Sequence, residues 1–215
     1  MTNPTPTAPG GPVVTTPTID FGDNFPARVT AIGDSITAGT EGLPYPARLQ
    51  AILRGRNPEA RVINRGEGGQ STFGGLGLVN HALVTDRPGF MLIMEGTNDV
   101  RQFVPEELTA GNLREMVRRA KGNKTVPILA TIPRELGAAG FFADAAVSLN
   151  VLIRQIATDE KITLADVFAA LPDATYFSAD GFHPNDRGYD AIASTFDSAL
   201  ARAGYPMARV ARRRR

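Results

Sequence analysis

The sequence has no cysteine and only two histidines, His81 and His183, among its 215 residues. The lack of cysteine excludes disulfides, thiol nucleophiles and cysteine-based zinc sites. With two histidines, a metal centre built from several imidazole ligands is nearly excluded as well. No apolar run reaches about 18 residues, the length that a membrane-spanning helix requires, so we expect no transmembrane segment. What is present, 42% hydrophobic and 21% charged residues, is typical of one globular domain.

The net charge of +1 hides an uneven distribution of basic residues. Five of the 23 Lys and Arg residues are Arg209 and the run from Arg212 to Arg215. Without them the chain has 18 basic residues against 22 acidic ones, so its body is mildly acidic. Such a body argues against a basic face for nucleic acid, and we expect no nucleic-acid partner. An arginine-rich tip of this kind is usually a solvated tail.

Both ends of the chain differ in composition from the middle. The first 27 residues hold six of the 16 prolines and six threonines, so we expect 1–27 to be a disordered linker. The folded domain is then expected over residues 28–205, followed by an arginine-rich tail at 206–215. No basic segment followed by an apolar one marks a signal peptide. Because Pro/Thr linkers are common in exported proteins, we expect a secreted or surface-tethered protein that has lost its export signal.

From Arg28 onward, short apolar runs alternate with stretches of helical periodicity. The apolar runs, which predict strands, lie at 29–32, 61–64, 90–95, 126–132 and 162–165. The helical candidates lie at 45–54, 73–84, 105–121, 144–159 and 188–203. Apolar strands separated by helices indicate a parallel sheet covered on both faces. We therefore predict an α/β fold: a three-layer α/β/α domain with a central parallel sheet of about five strands.

Polar, glycine-bearing segments follow the first three predicted strands and precede the last predicted helix. These segments span residues 33–37, 64–71, 96–99 and 180–184. In open parallel sheets the functional site lies beyond the carboxyl ends of the strands. We therefore expect the four segments to converge on one site.

The segments contain a serine, a histidine and an aspartate that can form a nucleophilic site. A serine hydroxyl is a poor nucleophile until a base removes its proton, and histidine is the usual base near neutral pH. Ser35 lies at a strand-to-helix turn, which exposes it, and His183 is the natural base. Asp180, three residues before the histidine, can hold the imidazole tautomer and steady its positive charge. We predict these three as the catalytic residues.

An acyl-transfer reaction also develops an oxyanion, which requires fixed hydrogen-bond donors. The available donors are the N–H of Ser35, the N–H of Gly69 and the side-chain amide of Asn98. Glycine suits position 69 because it lets the backbone approach a substrate without a Cβ in the way. The amide of Asn98 donates without carrying a charge. We predict these three groups as the oxyanion hole.

Taken singly, the same residues have plainer interpretations. Asp34 and Ser35 can be a helix N-cap pair, and residues 66–69 can be a flexible loop. No Lys-Ser/Thr follows these glycines, so they do not match a phosphate-binding loop. Asp99 is expected to order the loop after the third strand rather than to take part in chemistry. His81 lies in a helical stretch without an acidic partner at fixed spacing, so a surface or packing role is expected.

Four further residues are weaker candidates for substrate contacts. Phe141 and Phe142 follow the loop at 137–140 and can form an apolar wall or anchor the next helix. Arg134 lies in the same connection and can meet a polar leaving group. Asp34, beside the serine, is the fourth.

Together the four segments resemble the sequence blocks of the SGNH hydrolases, also called the GDSL esterase/lipase family. The nucleophile block is similar to Gly-Asp-Ser-Ile-Thr-Ala-Gly at 33–39, with isoleucine where the older family name has leucine. The glycine block resembles Asn-Arg-Gly-Glu-Gly-Gly at 64–69, and the asparagine block is Gly-Thr-Asn-Asp at 96–99. The last block is the Asp-x-x-His of Asp180 and His183.

The resemblance spans residues 28 to about 203 and contains one departure. Glu67 and Gly68 replace an apolar-Ser pair often found before the oxyanion glycine, and Gln70 stands where an aspartate is frequent. The resemblance implies the flavodoxin-like SGNH hydrolase fold and a serine hydrolase that cleaves carboxylic esters through an acyl-Ser35 intermediate. It also implies that no metal ion and no organic cofactor is required.

Three hypotheses for the function remain open. Short connections after the first three predicted strands leave little material for a lid, which favours small esters with short acyl groups or acetyl groups on carbohydrates. The second hypothesis is a lysophospholipase or thioesterase that acts on longer acyl chains. The third, from another class, is a catalytically silent carbohydrate- or surface-binding module on the same fold, which is disfavoured because every catalytic position holds a competent residue.

Overall fold

The structure, a computed structural model, describes residues 18–40 and 42–206. Most of the predicted linker and almost all of the predicted arginine-rich tail lie outside the described residues, over 1–17 and 207–215.

Within the described part of the chain, five parallel strands form a single sheet. They are β1 (Phe25–Gly33), β2 (Arg61–Gly66), β3 (Pro88–Met94), β4 (Val126–Ala130) and β5 (Thr163–Ala165). The strand order is β2-β1-β3-β4-β5, so β1 lies between the second and third strands. The two connections from β1 to β2 and from β2 to β3 therefore run in opposite directions across the sheet. The crevice at such a reversal is where open parallel sheets place their sites.

Helices connect the strands and follow the last one. The eight α-helices in the described residues are α1 (Ser35–Ala38), α2 (Tyr45–Arg54), α3 (Thr72–Thr85), α4 (Thr97–Arg101), α5 (Glu106–Gly122), α6 (Ala143–Asp159), α7 (Val167–Ala170) and α8 (Asp186–Arg202). Short 3₁₀ helices occupy Gly137–Phe142 and Ala174–Tyr176. The five longest α-helices match the five predicted ones to within two residues at each end. The short helices α1 and α4 were not predicted from periodicity, because one turn is too short to show it.

The sheet is covered on both faces, and β3 shows how the sequence achieves this. Phe90, Leu92 and Met94 point to one face and pack in a cluster with residues of α2 and α8. Met91 and Ile93 point to the other face and pack with residues of α3, α5 and α6. All five side chains are buried, because successive residues of a strand alternate between faces and here both faces are covered. The predicted three-layer α/β/α fold is confirmed.

Residues before the predicted domain boundary at residue 28 already pack against the core. β1 starts at Phe25, and the preceding Ile19 and Phe21 pack against the core on the α2 and α8 side. The ring centroid of Phe21 lies 5.5 Å from that of Phe90, and Tyr205 packs on the same phenyl ring at 5.3 Å. The predicted boundary at residue 28 is therefore too far along the chain, because the proline-rich composition conceals a short apolar segment.

One helical stretch in the described residues, Gly140–Asp159, is long and apolar enough by composition to cross a membrane. Its residues Leu149, Ile153 and Ile156 are buried against the sheet. This packing accounts for the apolar composition of the stretch as that of a core helix.

Candidate active site

Ser35 is the first residue of α1 and follows directly from the carboxyl end of β1. The turn is tight: a Cβ at Gly33 would lie 2.0 Å from Oγ1 of Thr37 and 2.7 Å from the carbonyl oxygen of Met94. Only glycine fits this position without moving the neighbouring strand. The tight turn brings the serine hydroxyl to the edge of the sheet where β1 and β3 end.

Asp34 caps the helix that carries Ser35. Its carboxylate accepts a hydrogen bond from the N–H of Ile36 at 2.9 Å, and its side chain is almost completely buried. Burial raises the pKa of Asp34 to about 6, against hydrogen bonds from Ile36 and Thr97 and the charge of His183, which lower it. Asp34 was a weak candidate for a substrate contact, but its carboxylate is enclosed and engaged by the helix cap, so the structure gives no support to that contact.

Ser35, His183 and Asp180 form one hydrogen-bonded line. Oγ of Ser35 lies 3.0 Å from Nε2 of His183, and Nδ1 of the same ring lies 2.6 Å from Oδ2 of Asp180. An ionised aspartate accepts only, so Nδ1 carries the donated hydrogen and Nε2 is left as the acceptor that faces the serine. The arrangement can remove the serine proton and then stabilise the imidazolium that forms.

The charge of Asp180 is stabilised by its own loop. Its second oxygen, Oδ1, accepts hydrogen bonds from the N–H groups of Phe182 and His183, each at 2.9 Å, and from Oγ of Ser178 at 3.0 Å. Partial burial alone would raise the pKa of Asp180, but the hydrogen bonds from the His183 ring, these N–H groups and Ser178 lower it to about 2. The carboxylate is therefore ionised wherever the imidazole can act as a base.

Gly69 and Ser35 offer backbone donors at the same edge. Gly69 has a φ of 77°, in the left-handed region that favours glycine, and a Cβ added there would meet no protein atom within 4 Å. Its backbone conformation, rather than crowding by the protein, is what requires glycine. Within residues 18–40 and 42–206, the N–H groups of Ser35 and Gly69 have no hydrogen-bond acceptor, so both remain able to bind an oxyanion.

Asn98 is held in place by the glycine loop. It lies in α4, immediately beyond β3, and its Nδ2 donates to the carbonyl oxygen of Gln70 at 2.8 Å. An amide nitrogen carries two hydrogens, so the second remains free to act as a donor. The same bond ties the loop after β2 to the helix after β3. Three predicted oxyanion donors thus belong to three adjacent strand ends.

Asp99 has the structural role expected of it. Its carboxylate accepts hydrogen bonds from the N–H and Oγ1 of Thr72, at 2.9 and 2.5 Å, and from Oγ1 of Thr109 at 3.4 Å. It therefore fixes the start of α3 against α4 and α5. This contact orders the segment that carries Asn98.

A buried carboxyl group that the sequence did not single out lies at the end of β3. Glu95 is completely buried, and within the described part of the chain neither of its carboxyl oxygens has a hydrogen-bond partner. Burial, followed by the negative charges of Asp34, Asp99 and Glu67, raises the pKa of Glu95 well above its ordinary value. The enclosure therefore favours the neutral, protonated form of this carboxyl group.

The remaining substrate candidates differ in position. Arg134 turns to the protein: its Nε donates to the carbonyl oxygen of Leu171 at 3.1 Å, and its guanidinium lies 4.0 Å from the ring centroid of Phe168. Because these contacts engage the guanidinium within the protein, the structure gives no support to a substrate contact by Arg134. Phe141, by contrast, is 78% exposed and stands edge-on to Phe142, with ring centroids 5.2 Å apart.

The sequence missed three residues beside the predicted triad. Phe103, 73% exposed, completes an aromatic cluster with Phe141 and Phe142. Arg101 lies over the rings of Phe142 and Phe182 and pairs with buried Glu135. The available signal was the position of Arg101 and Phe103 a few residues after Asn98. Within the described residues, no group of three or more His, Asp or Glu side chains is placed to hold a metal ion.

Comparison with protein sequences identifies the family. The sequence model of the GDSL-like lipase/acylhydrolase family matches residues 31–191. The chain is also 30% identical to Esterase TesA of Pseudomonas aeruginosa over 162 residues, which cover 71% of this chain and 77% of TesA.

Solved structures with the same fold include two at 26% identity. A GDSL-like lipase from Bacteroides thetaiotaomicron superposes with a TM-score of 0.68 over 83% of this chain and 89% of its own. LAE5, an alpha/beta hydrolase enzyme from the metagenome of Lake Arreo, superposes with a TM-score of 0.71 over 84% of this chain and 97% of its own. At 23% identity, Axe2, an acetylxylan esterase from Geobacillus stearothermophilus, shares the fold with a TM-score of 0.67 over 84% of this chain and 95% of its own. The chain belongs to the GDSL-like lipase/acylhydrolase family and is a carboxylic ester hydrolase.

Proposed function

We propose that the protein hydrolyses esters of short acyl groups, including acetyl groups on carbohydrates, through an acyl-enzyme formed on Ser35. The observation that carries the proposal is the unbroken line from Oγ of Ser35 through the His183 ring to Asp180, at 3.0 and 2.6 Å. A hydroxyl, a base and an ionised carboxylate in this order constitute the machinery of a serine hydrolase.

Acylation begins when Oγ of Ser35 attacks the carbonyl carbon of the ester and Nε2 of His183 takes the hydroxyl proton. The electron pair of the carbonyl bond moves to its oxygen, which becomes an oxyanion. The N–H groups of Ser35 and Gly69 and the free hydrogen of the Asn98 amide then donate to it. Donors fixed in advance favour this charge because they need no reorganisation as it develops.

The intermediate collapses when the bond between the acyl carbon and the alcohol oxygen breaks. His183 returns its proton to that oxygen, the alcohol departs, and the acyl group stays on Ser35. Water then attacks the acyl carbon while His183 removes its proton. The second collapse breaks the bond to Oγ, His183 reprotonates Ser35, and the carboxylic acid leaves. Throughout, Asp180 stays ionised and stabilises the imidazolium.

The short connections at the carboxyl edge support small substrates. Only 5 residues, 67–71, separate β2 from α3, and α1 and α4 follow their strands almost at once. These three segments carry the predicted nucleophile and oxyanion donors and are too short to fold over them. Axe2, which shares the fold, is an acetylxylan esterase.

A specific observation favours the second hypothesis, a substrate with a longer acyl chain. Phe103 and Phe141 are exposed at the same edge of the sheet, where apolar side chains of this size are seldom left in water without a partner. The third hypothesis, a catalytically silent binding module, is abandoned because the chain is an ester hydrolase by family.

A chain-length profile distinguishes the two remaining classes of substrate. We would measure kcat/KM on 4-nitrophenyl esters from acetate to palmitate, together with acetate release from acetylated xylan. We expect the highest kcat/KM at the short end and release of acetate from the polymer. A rise in kcat/KM toward palmitate would support long-chain substrates instead. Ser148→Ala, which alters a surface serine bonded to Glu106 on the outside of α6, is the matched control for Ser35→Ala.

A further inference from the structure

We propose that Arg101 is a positioning residue for His183, acting through the ring of Phe182 and held in place by Glu135. The inference rests on the proposed function, because it assigns to Arg101 the task of fixing the base that activates Ser35. Nothing in the sequence motif requires an arginine at this position: the motif ends two residues earlier, at Asp99.

A continuous series of close contacts connects Arg101 to the imidazole through the ring of Phe182. The ring centroids of Phe182 and His183 are 3.9 Å apart, with the two ring planes tilted by 51°. The guanidinium carbon of Arg101 lies 4.4 Å from the centroid of the Phe182 ring and 5.1 Å from that of Phe142. A guanidinium above an aromatic face is attracted to it. Phe182 is therefore confined between the base and the arginine.

Glu135 fixes the guanidinium from the other side. Nη1 of Arg101 lies 2.9 Å from Oε2 of Glu135, whose side chain is completely buried, while that of Arg101 is one third exposed. Burial raises the pKa of Glu135 to about 7, and Arg101 opposes this rise. Without Arg101, this carboxyl would keep no hydrogen-bond partner among the described residues.

The histidine loop is otherwise held by backbone bonds and by the carboxylate of Asp180. The N–H of Leu136 donates to the carbonyl oxygen of Gly181 at 2.9 Å, and the N–H of Ser178 donates to that of His183 at 2.9 Å. These bonds hold the main chain, and the bond to Asp180 holds Nδ1 of the ring, but the ring can still pivot about that nitrogen. The close contact with the Phe182 ring restricts this pivot, and Nε2 then stays in line with the serine.

The same helix carries the oxyanion donor. Asn98 and Arg101 both belong to α4, so a shift of this helix would move the oxyanion donor and the support of the base together. Arg101 thereby couples two halves of the site that lie 85 residues apart in the sequence, at Asn98 and His183. Small displacements of a base from its nucleophile are costly, about 100-fold in rate for 1 Å.

The test compares Arg101→Ala, Arg101→Lys and Glu135→Gln with the wild-type enzyme. The first readout is the rate at which a fluorophosphonate probe labels Ser35, which reports the base-assisted attack without requiring the natural substrate. The others are kcat and KM on 4-nitrophenyl acetate, and the melting temperature. Arg114→Ala is the control, because Arg114 forms a surface ion pair with Asp159 and has nearly the same side-chain exposure.

We expect Arg101→Ala to lower both the labelling rate and kcat by about 10- to 100-fold, with KM changed by less than about twofold. Arg101→Lys should recover part of the loss, since its charge can still meet Glu135 and Phe182. Glu135→Gln, which keeps an acceptor but loses the charge, should fall between the two. Arg114→Ala should label at the wild-type rate.

Three results would overturn the inference. One is wild-type labelling and kcat in Arg101→Ala. Another is a rise in KM at unchanged kcat, which would make Arg101 a substrate contact. The third is equal losses in the Ala and Lys variants that follow their melting temperatures, which would indicate a structural role alone. If the probe does not label Ser35 in the wild-type enzyme and this enzyme hydrolyses no ester, the proposed function itself is wrong.

Discussion

Nδ1 of His183 lies 2.6 Å from Oδ2 of Asp180, which stands only three residues earlier in the same loop. The other oxygen of this carboxylate accepts the N–H groups of Phe182 and His183, so one side chain shapes the loop and polarises the ring. The distance between base and carboxylate is therefore set locally, and the long-range requirement is only to bring this loop to Ser35.

Replacing Asp180 by Asn should separate its two functions. The amide oxygen can still accept from the loop N–H groups, but an uncharged group cannot stabilise the imidazolium. We expect kcat on 4-nitrophenyl acetate to fall by about 10³- to 10⁴-fold in Asp180→Asn, with little change in melting temperature. The control is Asp173→Asn, since Asp173 makes a similar turn with Thr175 outside the triad. A loss smaller than tenfold would contradict the role given to the charge.

Removal of the Asn98 amide should affect the transition state more than binding. We expect Asn98→Ala to lower kcat by about 10²- to 10³-fold with KM nearly unchanged, as for the loss of one oxyanion donor. The measurement is steady-state kinetics on 4-nitrophenyl acetate. Asn123→Ala, which removes an exposed amide that contacts Asn24 shortly before the start of β4, should retain wild-type kcat. A change confined to KM would place Asn98 in ground-state binding instead.

Glu95 should make the protein less stable as the pH rises. Its pKa is raised in the folded state, so between its ordinary value near 4.5 and the raised value only the unfolded chain releases the proton. Unfolding is therefore favoured progressively as the pH rises through that window. Glu95→Gln, neutral in both states, should gain melting temperature relative to wild type as the pH rises above the ordinary pKa of a glutamate, and the gain should grow with pH.

Thermal unfolding of both proteins across this pH range measures the effect. Asp34, whose pKa is also raised, contributes a dependence of the same sign that both proteins share. A difference in melting temperature that does not change with pH would show that Glu95 is not protonated in the folded protein.

An added methyl group should destabilise the protein at Gly66 but have little effect on its stability at Gly68. A Cβ at Gly66 would lie 2.1 Å from the backbone nitrogen of Ala38, which cannot move without disturbing α1. We expect Gly66→Ala to lower the free energy of unfolding by about 1–3 kcal/mol or more. A Cβ at Gly68 would meet nothing within 4 Å, so Gly68→Ala should stay within about 0.5 kcal/mol of wild type. Urea unfolding of both variants tests this, and equal effects would contradict the close contact.

The sequence predicted the parts of the fold that depend on periodicity. The apolar patterns of the long strands and helices repeat often enough to be recognised. The alternation of strands with helices then predicts a parallel sheet that is covered on both faces. That topology places the strand ends together, so Ser35, Asn98 and His183 could be grouped before their distances were known. The composition of residues 1–27 obscured Ile19 and Phe21, because two apolar side chains among many prolines give no periodic signal.

The support around the site could not be predicted in the same way. Glu135 and Arg101 are 34 residues apart, and Arg101 meets Phe182 over a still longer separation. No local spacing indicates such pairs. Asp34 was ambiguous for a different reason. The sequence allowed either a helix cap or a substrate contact at this position, and the burial of the carboxylate supports the cap.

If Ser35 carries the acyl group, its replacement by alanine should abolish ester hydrolysis while the protein stays folded. We would measure kcat/KM of the wild-type enzyme, Ser35→Ala and the control Ser148→Ala on 4-nitrophenyl acetate, after circular dichroism shows all three to be folded. We predict a loss of about 10⁴-fold or more in Ser35→Ala and none in the control. Near wild-type hydrolysis by folded Ser35→Ala would show that Ser35 is not the nucleophile.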